Sequence, residues 1–227
     1  MSSYGSFEFM HLLSMLKLIA KIFAVILTIA GVLIFYYYGY SSEKDHHLNI
    51  DNNSENEKAE KIKLQDYADK AKLYCKSKGY NPNECLLIDM SLPSGKNRLF
   101  EYDMKNDSIL SEGLVAHGSC NYNFLTNPKF SNVAGCGCTA LGKYKIGNKY
   151  IGRFGTAYKL YGLDSSNSNA YKRNIVFHSY YMVPDKETDP LPICNSLGCA
   201  MTSTNYLTIL SKKIDASAKP VLLWIFD

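Results

Sequence analysis

The chain has 227 residues, a net charge of +4 and 46% hydrophobic residues, enough for one globular domain with an appendage. Its lysines are scattered and no basic stripe interleaves with aromatics, which excludes the usual footprint of a nucleic-acid partner. With 18 Tyr and 10 Phe but a single Trp, the aromatic area suits a core built from strands.

Ile22 to Tyr40 carries no charge. It is long enough to cross a hydrocarbon core of roughly 30 Å at about 1.5 Å per residue. Lys17 and Lys21 precede it, Tyr36, Tyr37 and Tyr38 suit the far interface, and the first basic residue beyond it, Lys44, lies beside Glu43 and Asp45. The positive-inside rule then makes 1–40 a cytoplasmic stub and transmembrane anchor, with the remainder periplasmic or extracellular. A cleaved signal peptide is the rival reading. It needs an apolar core of roughly 7–15 residues and a small-residue cleavage site, whereas Tyr-Tyr-Tyr-Gly-Tyr follows here.

Residues 41–60 are polar and read as a linker, in which His46 and His47 are solvated rather than metal ligands. From Ala59 to Ser77, Ile62, Leu64, Tyr67, Ala68, Ala71, Leu73 and Tyr74 recur at helical spacing, predicting an amphipathic lead-in over 61–84 that stops at Gly79. Over 85–227 the character changes to strands. Cys85–Met90, Asn97–Asp103 and Ser108–His117 are three, the last two joined at Asn106-Asp107. The Gly-punctuated alternation of Gly142–Phe154 predicts a hairpin within it. Tyr158–Leu163 and Asn174–His178 are further strands. Thr204–Ile214 is a helix capped by Thr202 or Ser203, and Val221–Phe226 is a final strand.

His178 ends an apolar, β-branched strand, and Cys199 follows Ser-Leu-Gly shortly before the predicted helix. A helix N-terminus favours a thiolate, and a histidine within reach gives the Cys–His pair that acyl transfer requires. Gly198 allows a tight turn whose amides can face an oxyanion. The bland reading is a core cysteine and a satisfied strand-end histidine.

His178 followed by Ser196-Leu-Gly-Cys199 resembles the signature of L,D-transpeptidase (YkuD-like) catalytic domains, and the Leu variant resembles their murein branch. Leu114-Val-Ala-His-Gly-Ser, Phe130-Ser-Asn-Val-Ala-Gly and Thr139-Ala-Leu-Gly-Lys-Tyr144 resemble that branch in the same order, over roughly Cys85 to Asp227. The resemblance implies a mostly β fold, a YkuD-like β-sandwich with one or two helices. It implies that Cys199 attacks the carbonyl of an L-residue in a peptidoglycan tetrapeptide stem, expelling the terminal D-residue and forming a thioester. An amine of a neighbouring stem then takes the acyl group; water in its place gives a carboxypeptidase. His178 moves the protons, amides around Gly198 and Cys199 hold the oxyanion, and Ser196 braces the loop or is a turn residue. His117, Tyr144, Tyr180 and Asn195 are the implied substrate contacts; the alternatives are a structural histidine at 117 and core packing for the tyrosines. No metal or cofactor is implied.

The sequence departs from the pattern at Leu197, where many relatives have His, and at Ala200-Met201, where they carry Arg or Pro. Lys143 or Arg153 is then the candidate for a substrate carboxylate, and a wall-binding module without catalysis is the reading from another class. Seven cysteines leave at least one unpaired within the chain. If Cys199 is that one, Cys75 and Cys85 can close a small loop, and Cys136 and Cys138, too tight to pair together, can take Cys120 and Cys194. Zinc and a regulatory Cys194–Cys199 bridge are the rivals.

Overall fold

The structure is a computed structural model. It describes residues 4–227, with side chains outside 4–14, 18–20, 22 and 37–54. The chain forms two compact units, 1–60 and 61–227. Helix α1, Tyr4–Lys78, runs through the first unit and supplies the first element of the second. The apolar side chains described between Phe23 and Tyr36, such as Val25, Leu33 and Phe35, are exposed. Among the described residues no helix is long and apolar enough to cross a membrane. The predicted span Ile22–Tyr40 lies partly outside the described side chains, as does the polar stretch 41–60 with His46 and His47.

In the second unit α1 buries Leu64, Ala68, Ala71 and Cys75, an i, i+4, i+7, i+11 stripe. Ile62 and Leu73, assigned to that face by spacing, are exposed. The stripe packs against Leu87, Phe100, Tyr102, Leu222 and Phe226. Gly79 stops the helix at φ +73°, a left-handed conformation in which glycine is the cheapest residue.

The strands are β1 (Glu84–Asp89), β2 (Leu99–Asp103), β3 (Ser108–Gly113), β4 (Val115–Ala116), β5 (Gly142–Gly152), β6 (Gly155–Gly162), β7 (Val176–Ser179), β8 (Ala200–Thr202) and β9 (Leu222–Phe226), with helix α2 at Thr204–Ala216. They form one mixed sheet in the order β3-β2-β1-β9-β5-β6-β7-β8-β4. The two edge strands, β3 and β4, are separated in the chain by Leu114 alone. A flat sheet would hold its edges eight strand spacings apart, at about 4.8 Å each, so this sheet must curl until the edges meet. The sheet therefore curls around a core, with β3 and β4 hydrogen-bonded only to β2 and β8. Inside it lie Leu99 of β2, Val115 of β4, Tyr144 of β5, Phe177 of β7 and Tyr206, Leu207 and Leu210 of α2.

The hairpin predicted inside 142–154 lies elsewhere. Gly142–Gly152 is one long strand with a bulge between Ile146 and Lys149, and it pairs with β6 across a turn at Arg153-Phe154. That turn carries Phe154 to the site. The helix cap falls at Ser203, whose hydroxyl accepts from the Tyr206 N–H.

Candidate active site

Strands β7 and β8 run parallel, with Phe177 opposite Ala200 and His178 opposite Met201. His178 and Met201, directly opposed, share one face, and Cys199 lies in the turn that leads into β8. All three line one cavity of about 650 Å³, together with Ser119, Tyr122, Phe124, Phe154, Tyr180, Cys194, Asn195, Ser196 and Leu197. The ring of Phe154 stacks on that of His178 at 5.7 Å, and Tyr180 meets Phe154 edge-on at 5.1 Å.

His178 is buried, and its Nδ1 lies 2.9 Å from the carbonyl oxygen of Ser179. A carbonyl only accepts, so Nδ1 carries the proton and the Nε2 lone pair is free. Burial lowers the affinity of the ring for a proton, and the Ser179 carbonyl partly restores it. The imidazole is a neutral base. Cys199 is half-buried, and its thiol points at the carbonyl of Asn174, 3.8 Å away. Burial raises its pKa, against the backbone of Val176 and the charges of Arg173 and Lys159.

Contrary to expectation, Cys199 does not stand at the start of a helix. Cys199 enters strand β8, and a whole strand and the Ser203 cap stand between it and α2. Gly198 adopts φ +108°, and a Cβ there would stand 2.6 Å from the Cys138 carbonyl and 3.2 Å from the Arg173 guanidinium. Its N–H donates to Ser196 Oγ, which in turn donates to the carbonyl of Cys199 at 2.7 Å. Ser196 thus braces the loop, and the Gly198 amide is already engaged.

The implied substrate contacts separate. Tyr180 lines the cavity. Tyr144 does not: it is fully buried in the core, its hydroxyl donating to the Ala140 carbonyl at 2.6 Å. His117 is fully buried as well. Its Nδ1 accepts from Arg98 at 2.9 Å, which leaves the proton on Nε2 to be donated to the Leu125 carbonyl. Burial and then the Arg98 charge push its pKa down to about 4. Asn195 reaches the cavity, but its amide is spent on both backbone groups of Leu125, accepting from N–H at 2.6 Å and donating to the carbonyl at 2.9 Å. His117 and Asn195 therefore hold the wall of the cavity. Lys143 pairs with Asp164 at 2.9 Å and lies over Trp224, away from the lining, whereas Arg153 stands at the rim over Phe154.

One disulfide is present, Cys120–Cys138; Cys75, Cys85, Cys136, Cys194 and Cys199 are free. The predicted Cys75–Cys85 bridge is not formed, and both thiols are buried in the second core. No cluster of three metal-ligating side chains occurs among the described residues. Phe154, Arg98, Arg173 and the Ser119–Leu125 wall escaped the sequence reading. Phe154 was hidden by the misplaced turn, and the others carry no local pattern.

The model of the L,D-transpeptidase catalytic domain family matches residues 58–224, and the chain belongs to that family. No curated protein matches it. Among solved structures it is similar to the helical cell shape determining protein Pgp2 from Campylobacter jejuni, at 15% identity and TM-score 0.43 over 64% of this chain and 48% of that one. It is also similar to the L,D-transpeptidase from Xylanimonas cellulosilytica, at 12% identity and TM-score 0.37 over 68% of each. The Ldtfm–avibactam carbamoyl enzyme matches at 12% identity and TM-score 0.39 over 64% of this chain and 49% of its own. The chain thus spans about half the length of the Pgp2 structure.

Proposed function

We propose that the chain is a peptidoglycan L,D-transpeptidase in which Cys199 is the nucleophile and His178 its base. The observation that carries this reading is the shared cavity of Cys199 and His178, with the Nε2 lone pair of His178 unengaged. His178 takes the thiol proton as sulfur attacks the L-residue carbonyl, then delivers it to the leaving amine. With the Gly198 amide engaged by Ser196, the N–H of Cys199 itself is the donor we assign to the developing oxyanion. The thioester passes to an amine of a second stem, or to water in a carboxypeptidase. The charge pattern around Ile22–Tyr40 supports a single-pass anchor with the N-terminus cytoplasmic and residues 61–227 outside the membrane.

The test is covalent labelling by a carbapenem or avibactam. The full chain gains the mass of one adduct on the Cys199 peptide, Cys199→Ala loses it, and Cys194→Ala keeps it. Absence of an adduct, or its location on another cysteine, overturns the reading. Mass spectrometry of sacculi digested after incubation then separates cross-linking from trimming.

A further inference from the structure

The correction at α2 leaves a gap: a half-buried thiol that must ionise has no helix end beside it. One side chain fills that position. Arg173 lies in the turn before β7, and its guanidinium is held at three points. Nη1 donates to the Ser131 carbonyl at 2.9 Å, and Nη2 donates to the Cys138 carbonyl and to Cys136 Sγ at 3.3 Å. These acceptors belong to the segment tied down by the Cys120–Cys138 bridge. The same Nη2 lies 3.2 Å from where a Cβ on Gly198 would sit. The thiol of Cys199 points at the carbonyl of Asn174, the next residue after Arg173.

None of the three acceptors is a carboxylate, so the guanidinium, always charged, keeps its full positive charge. The loop holds a cation against the nucleophile turn. We infer that Arg173 is a positioning residue for the acyl transfer, supplying beside Cys199 the positive charge that the chain lacks after its Ser-Leu-Gly-Cys segment. The inference rests on Cys199 being the nucleophile.

The groups facing the sulfur are consistent with this. Arg173 from the loop and Lys159 from β6 favour the anion, and no carboxylate acts on it. His178 from β7 and Cys194 line the same cavity and are neutral at rest. Tyr144, on β5, feels the Cys199 charge but is itself held neutral by burial. Lys159 is anchored differently, its Nζ resting over the Tyr150 ring at 5.1 Å.

The experiment measures the pH dependence of iodoacetamide alkylation at Cys199 in the full chain, read from the mass of the Cys199 peptide, with the Cys120–Cys138 bridge verified intact. In Arg173→Gln the midpoint rises by roughly one pH unit or more, the size expected for removing a nearby opposite charge. Arg173→Lys, which keeps the charge and loses the fork, stays near the wild type. A profile of Arg173→Gln that superposes on the wild type overturns the inference. So does an Arg173→Lys midpoint raised as far as that of Arg173→Gln, which would make the hydrogen bonds and not the charge responsible. Should Arg173→Gln fail to fold, Arg173→Met takes its place: a midpoint raised above the wild type supports the inference, and a superposable profile overturns it. Loss of the carbapenem adduct from wild-type Cys199 would instead count against the proposed function, so the two failures are distinct.

Discussion

Around Cys199 the local forces oppose one another. Burial raises the thiol while Val176, Arg173 and Lys159 pull it down, and burial lowers the proton affinity of His178 in the same cavity. The turn that presents the sulfur depends on Gly198, whose φ of +108° and closeness to the Cys138 carbonyl leave no room for a side chain. Gly198→Ala is expected to cost about 2 kcal/mol of stability for the backbone conformation alone, and to abolish labelling of Cys199; thermal melts and intact-mass spectra measure both. His117 makes a separate prediction. Its folded pKa of about 4 lies below the ordinary 6.5. Between those values the unfolded chain takes up a proton that the folded one refuses, so stability falls as pH drops through that window. The loss approaches roughly 3 kcal/mol near pH 4. Urea denaturation at neutral and acid pH should show a smaller fall in His117→Gln than in the wild type.

At the level of elements, the parallel β7–β8 pair sets His178 opposite Met201, and the turn entering β8 brings Cys199 to the same cavity. The β5–β6 turn then lays Phe154 on the His178 ring, and the segment from Ser119 to Leu125, pinned by His117 and Asn195, closes the other wall. Helix α2 packs inside the curl of the sheet through Tyr206, Leu207 and Leu210, so its cap bears on the core. Ser203→Ala removes the acceptor of the Tyr206 N–H and should cost about 1 kcal/mol, or about 3 °C in Tm, by calorimetry. The helix and its cap were legible because periodicity and a capping serine are local signals. The β5–β6 turn was not: Gly147-Asn148 has the composition of a turn, yet those residues sit at a bulge between paired stretches. Only pairing with β6 and β9 distinguishes the two.

For the second unit as a whole, the tight connection at Leu114 joins the two edge strands of one nine-stranded sheet that curls around the core. The end of α1 covers the opposite face of β1, β2 and β9. The uncharged segment in the first unit leads to a prediction about the full chain. It should remain with membranes after alkaline carbonate extraction and need detergent for release. Leu27→Arg combined with Leu33→Arg, each costing about 3 kcal/mol at the centre of a span, should shift it to the supernatant. Recovery of the wild type without detergent would leave no anchor.

The amino-acid sequence alone determined elements whose signals are local: β1, β2, β7 and β9, the helix from Thr204 with its cap and the stop at Gly79. It also contained the motifs by which the family is known. Tertiary structure decided what long-range contacts set. Tyr144 went to the core and Tyr180 to the cavity, although both are tyrosines in β-rich surroundings, because the fold buries one and not the other. His117 became a pillar because Arg98, just before β2, reached its Nδ1. Arg173 came to stand beside Cys199 because a bridged loop far upstream carries its acceptors. Spacing along a chain encodes which face a residue occupies, but which partner meets that face is fixed only when the sheet closes.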